Sequence, residues 1–176
     1  MADLDELRYP IGKFQFPTAS TPATRAASIE TLRLLPERLT AAVKGLSDAQ
    51  LDTSYREGGW TVRQLVHHFA DSHANSYIRF KLALTEDSPT IKAYDEDAWA
   101  RLPDSRMPIE PSLEFLTGVH ARLVTLLESL SEEQFQRAFT HPRHGRLTVA
   151  TNLAIYDWHS LHHVAHITRL RERMHW

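Results

Sequence analysis

The sequence predicts an all-α fold, a four-helix bundle with a long connection between helices 2 and 3. Four stretches repeat apolar residues three or four positions apart, which is the spacing that one buried face of a helix requires. Hardly any stretch alternates apolar and polar residues as a half-buried strand would. Helices of this kind bury their apolar faces against one another, and a bundle is the arrangement that results.

Within the 176 residues we expect an extended N-terminal arm, residues 1–20, followed by a single bundle domain, residues 21–176. Pro10, Gly12 and Pro17 interrupt regular structure in the arm. The aromatic side chains of the arm are expected to pack on the bundle or to reach a second subunit.

The first two long helices have recognisable starts. Thr21 is suited to cap the first helix, and Pro22 suits its first position, where a missing N–H costs nothing. Pro36 lies inside the same stretch and cannot donate the hydrogen bond of an interior turn, so we expect the helix to kink or divide there. The second helix is expected to begin after Thr61 and to run to about Thr85.

The connection between helices 2 and 3, residues 86–111, is rich in Pro, Asp and aromatic residues. It is long enough to run the length of the bundle, and long connections in compact domains are often functional. Tyr94 and Trp99 are expected to serve as packing residues there. Helix 3 is predicted over residues 112–130. Residues 139–146, before helix 4, are expected to form a loop with solvated histidines.

The fourth helix, from Leu147 or Thr148 to Arg173, holds a cluster of histidines. Two pairs have the i, i+4 spacing that lets two imidazoles grip one metal ion. These pairs are His159 with His163, and His162 with His166. At about 100° per residue, His163 falls on the apolar stripe, His159 on its edge, and the other two beyond it. The phase therefore favours His159 and His163, and a merely polar helix face is the alternative.

A third ligand would have to come from elsewhere, and the second helix offers His67, His68 and His73. By phase alone His73 lies on the apolar stripe of that helix and His68 lies well off it. Periodicity thus predicts His73 as the buried histidine, and a satisfied core histidine is a sufficient explanation for it.

The composition narrows the function classes. Cysteine is absent, which excludes disulfides, cysteine-ligated zinc and a cysteine nucleophile. A formal net charge of −2 does not favour a nucleic-acid or membrane partner. No apolar run is long enough to span a bilayer, and the charged N-terminus lacks the apolar core of a signal peptide. We therefore expect a cytoplasmic protein.

Several stretches resemble the DinB-like superfamily and, within it, the YfiT type of metal-dependent hydrolase, which is related to the bacillithiol S-transferases. These stretches are residues 9–12 (YPIG), 58–72 (GGWTVRQLVHHFADS) and 158–168 (WHSLHHVAHIT), with further matches at 75–81 (NSYIRFK) and 94–96 (YDE). The resemblance covers nearly the whole chain. It implies a DinB/YfiT-like four-helix bundle and a homodimer.

The resemblance also implies a three-His site for one divalent metal ion per chain. The pattern of the family puts one ligand eight residues after Trp60, which is His68, and two on the last helix, which are His159 and His163. His67 and His73 are the alternatives for the first ligand. Zn²⁺ is the expected metal and Ni²⁺ the alternative, because imidazole ligands do not choose between them.

Three functions follow from such a site. The first is a hydrolase that acts on a small-molecule substrate with metal-activated water. The second is an S-transferase that conjugates a low-molecular-weight, bacillithiol-like thiol to an electrophile. The third is a non-catalytic metal-binding or interaction module. Asp71, Tyr77 and Arg79 follow His68 on the second helix, but the sequence assigns no acid or base role to any of them.

Overall fold

A computed structural model describes residues 4–176, and the predicted four-helix bundle is confirmed. The long helices are α2 (Pro22–Val43), α4 (Val62–Thr85), α6 (Glu110–Glu128) and α8 (Val149–Met174). The shorter helices are α1 (Leu4–Arg8), α3 (Asp48–Leu51), α5 (Glu96–Trp99) and α7 (Glu132–Gln136), and a 3-10 turn spans Pro103–Arg106. Two strands, β1 (Ala138–His141) and β2 (Gly145–Thr148), precede α8. Over the described range, no helix combines the length and the apolar character needed to cross a membrane.

Threonine caps begin three of the long helices. The hydroxyl oxygens of Thr21, Thr61 and Thr148 each accept a hydrogen bond from the backbone N–H three residues further on. Each cap satisfies one of the N–H groups that have no partner in the first turn of a helix. The predicted starts of the first two long helices are therefore confirmed.

Pro36 does not divide the first long helix, so that alternative of the prediction was wrong. α2 is continuous from Pro22–Val43, and the flanking Leu35 and Leu39 are both buried. Packing on both sides of the proline holds the helix together. The carbonyl of Leu32, four residues earlier, accepts a hydrogen bond from Nδ1 of His120 at 2.6 Å.

The long connection crosses the bundle from end to end. α2 and α4 each pack against both α6 and α8. α4 and α6 run parallel, because His67 contacts Ser112 while His73, further along α4, contacts His120, further along α6. Two parallel neighbours need a connection that returns to the starting end. Residues 86–109 make that return.

The loop expected over residues 139–146 is instead a β-hairpin. β1 and β2 pair antiparallel, and the paired Phe139 and Leu147 are buried in the core. The hairpin also pairs with the long connection, since Thr140 N–H donates to the Pro89 carbonyl at 2.8 Å and Ile91 N–H donates to the Thr140 carbonyl at 3.0 Å. The contacts with the long connection join segments far apart in sequence, and local patterns do not indicate them.

The N-terminal arm contains one short helix, α1 (Leu4–Arg8), which the extended prediction missed. Beyond it, Phe14 packs edge-on against Trp158, with ring centroids 5.9 Å apart. The indole N–H of Trp158 donates to the carbonyl of Gly12 at 3.2 Å. The expected packing of arm aromatics on the bundle is thus confirmed for Phe14. The first three residues of the predicted arm lie outside the described residues.

The buried core consists of two apolar clusters with a layer of imidazoles between them. One cluster includes Phe80, Leu123 and Leu153, and the other includes Phe69, Leu116 and Ile167. His73 on α4, His120 on α6 and His159 on α8 lie at the positions between the clusters. The centre of the bundle is therefore polar.

We expect Phe80→Ala to lower the free energy of unfolding by about 3–5 kcal/mol, because it leaves a cavity in a fully buried position. The matched control is Ile78→Ala on the same helix, where the side chain is 56% exposed and the change should stay within about 0.5 kcal/mol. Urea denaturation of both variants measures the difference. Equal losses would contradict the position of Phe80 in the core.

Candidate metal centre

α4 and α8 bring together the three histidines that the sequence singled out. Nε2 of His68 lies 3.1 Å from Nε2 of His159. One ring nitrogen from each of His68, His159 and His163 lies within 4.8 Å of the others. The i, i+4 spacing on α8 puts the His159 and His163 rings 4.5 Å apart, and the facing turn of α4 supplies His68. This trio is the candidate metal centre.

The surroundings of the centre are apolar and aromatic. The ring of Trp60 lies 4.6 Å from that of His68, and Phe69 presents an edge to both His159 and His163. Burial lowers the pKa of His68 to about 4, and it holds the pKa values of His159 and His163 well below 6.5, with the neighbouring histidines adding to the effect. All three rings are therefore neutral at neutral pH, which is the form that binds a metal.

The two alternatives for the first ligand have other partners. His67 is held by the hydroxyl of Ser112, 2.8 Å from Nδ1, and by the carbonyl of Met107, 3.1 Å from Nε2. His73 is fully buried, as periodicity predicted, and its Nε2 faces Nδ1 of His159 at 3.2 Å. Neither residue belongs to the candidate centre.

A second group of histidines on α8 also has ring nitrogens within 4.8 Å of one another, namely His162, His163 and His166. The phase argument put His162 and His166 outside the apolar stripe, yet they are only 6% and 3% exposed, so the expected outward position was wrong. Trp158 stacks on His162 with ring centroids 4.2 Å apart, and the carbonyl of Arg8 contacts Nε2 of His166 at 3.1 Å. The arm thus covers the face of α8 that carries His166, which periodicity alone places outside the buried stripe.

The candidate centre forms part of the wall of a cavity of about 520 Å³. All three of its histidines line this cavity, whereas His162 and His166 do not. A cavity of this size admits a small molecule, since ligand pockets of about 300–1,000 Å³ are usual. The first group is therefore the one whose three members share the wall of one cavity, whereas His166 lines a separate cavity of about 390 Å³.

Hydroxyl groups surround the candidate centre. The Ser72 hydroxyl oxygen lies 3.5 Å from Nε2 of His159 and 3.2 Å from the Tyr156 hydroxyl, which also contacts the Ser72 carbonyl at 3.0 Å. Tyr94 lines the same cavity, where burial above all raises the pKa of its hydroxyl. Tyr94 packs on Trp99, as expected, but it also presents a hydroxyl that stays protonated at neutral pH.

The hairpin contributes to the cavity wall two histidines that were expected to be solvated, His141 and His144. His144 is exposed, but His141 is buried, and both line the cavity. Burial first and the nearby Arg79 second lower the pKa of His141 to about 4. The expectation was wrong for His141 because it assumed a loop in water, whereas β1 holds this residue against the bundle.

The other three candidates on α4, Asp71, Tyr77 and Arg79, differ in whether they line the cavity. Asp71 is absent from the described cavity lining, and burial, followed by the charge of Asp104, raises its pKa to about 6. Arg79 does line the cavity. Tyr77 packs against an apolar cluster. Of the three, only Arg79 is positioned to meet a ligand in this cavity.

Stability without bound metal should fall in mild acid. Burial lowers the pKa of His120 to about 4, against an ordinary value of 6.5 in the unfolded chain. As the pH drops below 6.5, the unfolded chain therefore binds protons that the folded chain refuses, and the free energy of unfolding falls until the pH nears about 4. Each such group contributes up to about 1.4 kcal/mol per pH unit. Asp71 alone has the opposite effect on the free energy of unfolding, because its pKa is raised in the folded chain.

Urea denaturation of chelator-treated protein at a series of pH values between 7 and 5 measures this dependence. His120→Leu should make it shallower, because it removes one buried histidine. Stability that rises as the pH falls over this interval would contradict the neutral histidine layer.

Comparisons with known proteins identify the family of this chain. Residues 31–167 match the DinB superfamily. Proteins named "Putative metal-dependent hydrolase" from Bacillus cereus (strain B4264) and Bacillus thuringiensis subsp. konkukian (strain 97-27) are each 51% identical over 173 residues, covering 98% of this chain and 100% of their own.

Two solved structures are similar as well. YfiT from Bacillus subtilis, described as a probable metal-dependent hydrolase with an unusual four-helix bundle topology, aligns with a TM-score of 0.94 and 48% identity over 97% of this chain and 99% of its own. TT2238, a four-helix bundle protein, aligns with a TM-score of 0.55 and 18% identity over 80% of this chain and 94% of its own, which shows the fold alone. The resemblance stated from the sequence is confirmed: this chain belongs to the DinB superfamily.

Proposed function

We propose that this chain is a metal-dependent hydrolase that holds one divalent ion on His68, His159 and His163 and takes a small-molecule substrate in the adjoining cavity. The observation that carries the proposal is the meeting of three neutral imidazole nitrogens within 4.8 Å at the wall of this cavity. Three protein ligands with a further position open are typical of catalytic metal sites rather than structural ones.

The donor set fits Zn²⁺, with Ni²⁺ as the alternative. Two nitrogens bound to one tetrahedral Zn²⁺ ion at about 2.0–2.1 Å are separated by about 3.4 Å. The facing nitrogens of His68 and His159 are 3.1 Å apart, close to this separation, and a ring nitrogen of His163 lies within 4.8 Å of both. When bound, such an ion lowers the pKa of a water to about 7 and likewise favours deprotonation of a thiol, so it supplies a nucleophile near neutral pH.

The hydroxyl of Tyr94 is suited to donate a hydrogen bond to a substrate oxygen. Its raised pKa keeps the proton on the hydroxyl, and a donor aimed at a developing negative charge is a large source of catalysis. The Tyr156 hydroxyl, which donates to the Ser72 carbonyl, holds a wall of the cavity in place. The indoles of Trp60 and Trp158 also line the cavity.

Thiol transfer is the second candidate. It is favoured because both carboxylates that line the cavity, Glu96 and Asp97, are engaged with other residues. A hydrolase usually has a general base near the reacting water. Asp97 accepts a hydrogen bond from the Trp60 indole at 2.9 Å, and Glu96 lies 3.8 Å from the guanidinium of Arg143. Both carboxylates thus have other partners. A thiol has less need of such a base, because it ionises more readily than water.

The metal content of the purified chain tests the first step of the proposal. We expect about one Zn²⁺ per chain for the wild type and loss of stoichiometric binding in His68→Ala, because two imidazoles rarely retain an ion that needs three. His175→Asn, at an exposed histidine, is the matched control and should keep the metal. Elemental analysis gives the ratio. Retention of the ion in His68→Ala would rule out this set of ligands.

Tyr94→Phe tests the second step. We expect turnover to fall by about 10²–10³-fold, because one donor to the developing charge is lost, while the Zn²⁺ content stays unchanged. Rates are measured with a panel of esters and amides, and with a low-molecular-weight thiol plus an electrophile. Metal-dependent ester or amide cleavage supports the hydrolase, and metal-dependent conjugation alone supports the transferase. Bound metal with neither activity would leave a binding module.

A further inference from the structure

Two networks of hydrogen-bonded histidines lead away from the candidate metal centre, and each ends on a backbone carbonyl. The inner network runs from His159 through His73 and His120 to the carbonyl of Leu32, with contacts of 3.2, 2.9 and 2.6 Å. The outer network runs from His163 through His166 to the carbonyl of Arg8, with contacts of 3.2 and 3.1 Å.

The terminal carbonyl dictates the position of every proton in the inner network. A carbonyl oxygen only accepts, so Nδ1 of His120 must donate to Leu32. A neutral imidazole has a single N–H, so Nε2 of His120 accepts, and Nδ1 of His73 donates to it. By the same rule Nε2 of His73 accepts from Nδ1 of His159. Nε2 of His159, which faces His68 at 3.1 Å, is therefore the unprotonated nitrogen.

The same rule applies to the outer network, which ends on the carbonyl of Arg8 in the N-terminal arm. Nε2 of His166 must donate to the carbonyl of Arg8, which leaves Nδ1 of His166 as an acceptor. Nδ1 of His163 then donates to it, and Nε2 of His163 is unprotonated. Both ligands that α8 would contribute thus offer the same ring atom.

The inner network ends on a carbonyl that has no N–H partner four residues further on in its own helix. In an α-helix the carbonyl of residue 32 would accept from the N–H of residue 36. Residue 36 is the interior proline of α2, and proline has no N–H. The carbonyl of Leu32 is therefore available to His120, which is 1% exposed and has no access to bulk water as a substitute.

We propose that His73, His120 and His166, together with the two terminal carbonyls, are positioning residues that hold His159 and His163 in the tautomer with Nε2 unprotonated and aimed at the metal. The inference rests on the proposed three-His centre. Partners of this kind fix both the tautomer and the orientation of a metal-binding imidazole, and their loss typically weakens metal binding 10–100-fold. None of these positioning residues needs to touch metal or substrate.

The proposal also decides between the two histidine groups on α8. A site built from His162, His163 and His166 could use the facing Nδ1 atoms of His163 and His166, which lie 3.2 Å apart. An ion bound to both atoms would have to displace the proton that the outer network puts between them, so that site and the outer network exclude each other. His162→Ala should therefore leave Zn²⁺ affinity unchanged, whereas His166→Leu should weaken it about 10–100-fold.

Tautomers can be read directly by long-range ¹H–¹⁵N correlation spectra of the labelled full chain, with Zn²⁺ and after chelation. We expect N–H at Nδ1 for His73, His120, His159 and His163, and at Nε2 for His166. A proton on Nε2 of His73 or His120 would overturn the inner network. Failure of the wild type to bind Zn²⁺ would instead remove the proposed metal centre, while the chelated spectra still decide the tautomers.

Zn²⁺ titrations of paired variants test the inner network by a second route. His120→Leu removes the acceptor for His73 and should weaken Zn²⁺ binding about 10–100-fold, with the proton of His159 moving to Nε2 in the chelated protein. His120→Gln keeps an acceptor there and should retain most of the affinity. Wild-type affinity and an unchanged His159 tautomer in His120→Leu would overturn the proposal.

If His120→Leu does not fold, Pro36→Ala tests the inner network in its place. It gives residue 36 an N–H that competes with His120 for the Leu32 carbonyl, while it removes a helix-breaking residue. We expect a more stable helix with weaker Zn²⁺ binding, and these opposite directions separate positioning from general damage. An increase in stability with unaltered affinity would count against the inner network.

Discussion

A layer of buried imidazoles crosses the middle of this bundle, and the requirement that each of its polar atoms be hydrogen-bonded constrains the rest of the structure. His73, His120 and His159 come from three different helices and separate two apolar clusters. An unpaired donor or acceptor at such a depth costs about 1–3 kcal/mol, so the helices must align in register for the rings to meet. The parallel pairing of α4 with α6, and with it the long connection, provides this register.

The sequence predicted those features that depend on neighbouring residues. Thr21 and Thr61 cap helices through contacts three residues away, and the i, i+4 pair on α8 follows from helix geometry. The pairing of the hairpin with the long connection and the contact of His166 with Arg8 were missed, since they join segments distant in sequence. His162 and His166 were assigned to the open face because periodicity describes one helix and cannot include an arm that packs over it.

His120 was missed for a different reason, although the sequence contains a signal for it. It lies between Leu116 and Leu123 on the apolar stripe of α6, where a polar residue needs a buried partner. The partner is the carbonyl left free by Pro36, so the proline and the histidine explain each other only when the two helices are seen together. Each residue alone looks like a minor defect in its own helix.

A core of this kind is difficult to justify by stability. Leucine in place of these histidines would bury more apolar surface without hydrogen-bond requirements, and buried polar networks are seldom the more stable choice. Functional sites are where proteins retain such costs. The missing N–H of Pro36 leaves a carbonyl free, that carbonyl orders three rings, and the last ring turns an unprotonated nitrogen toward His68. The irregularity in α2 and the candidate metal centre are therefore two ends of one hydrogen-bonded network.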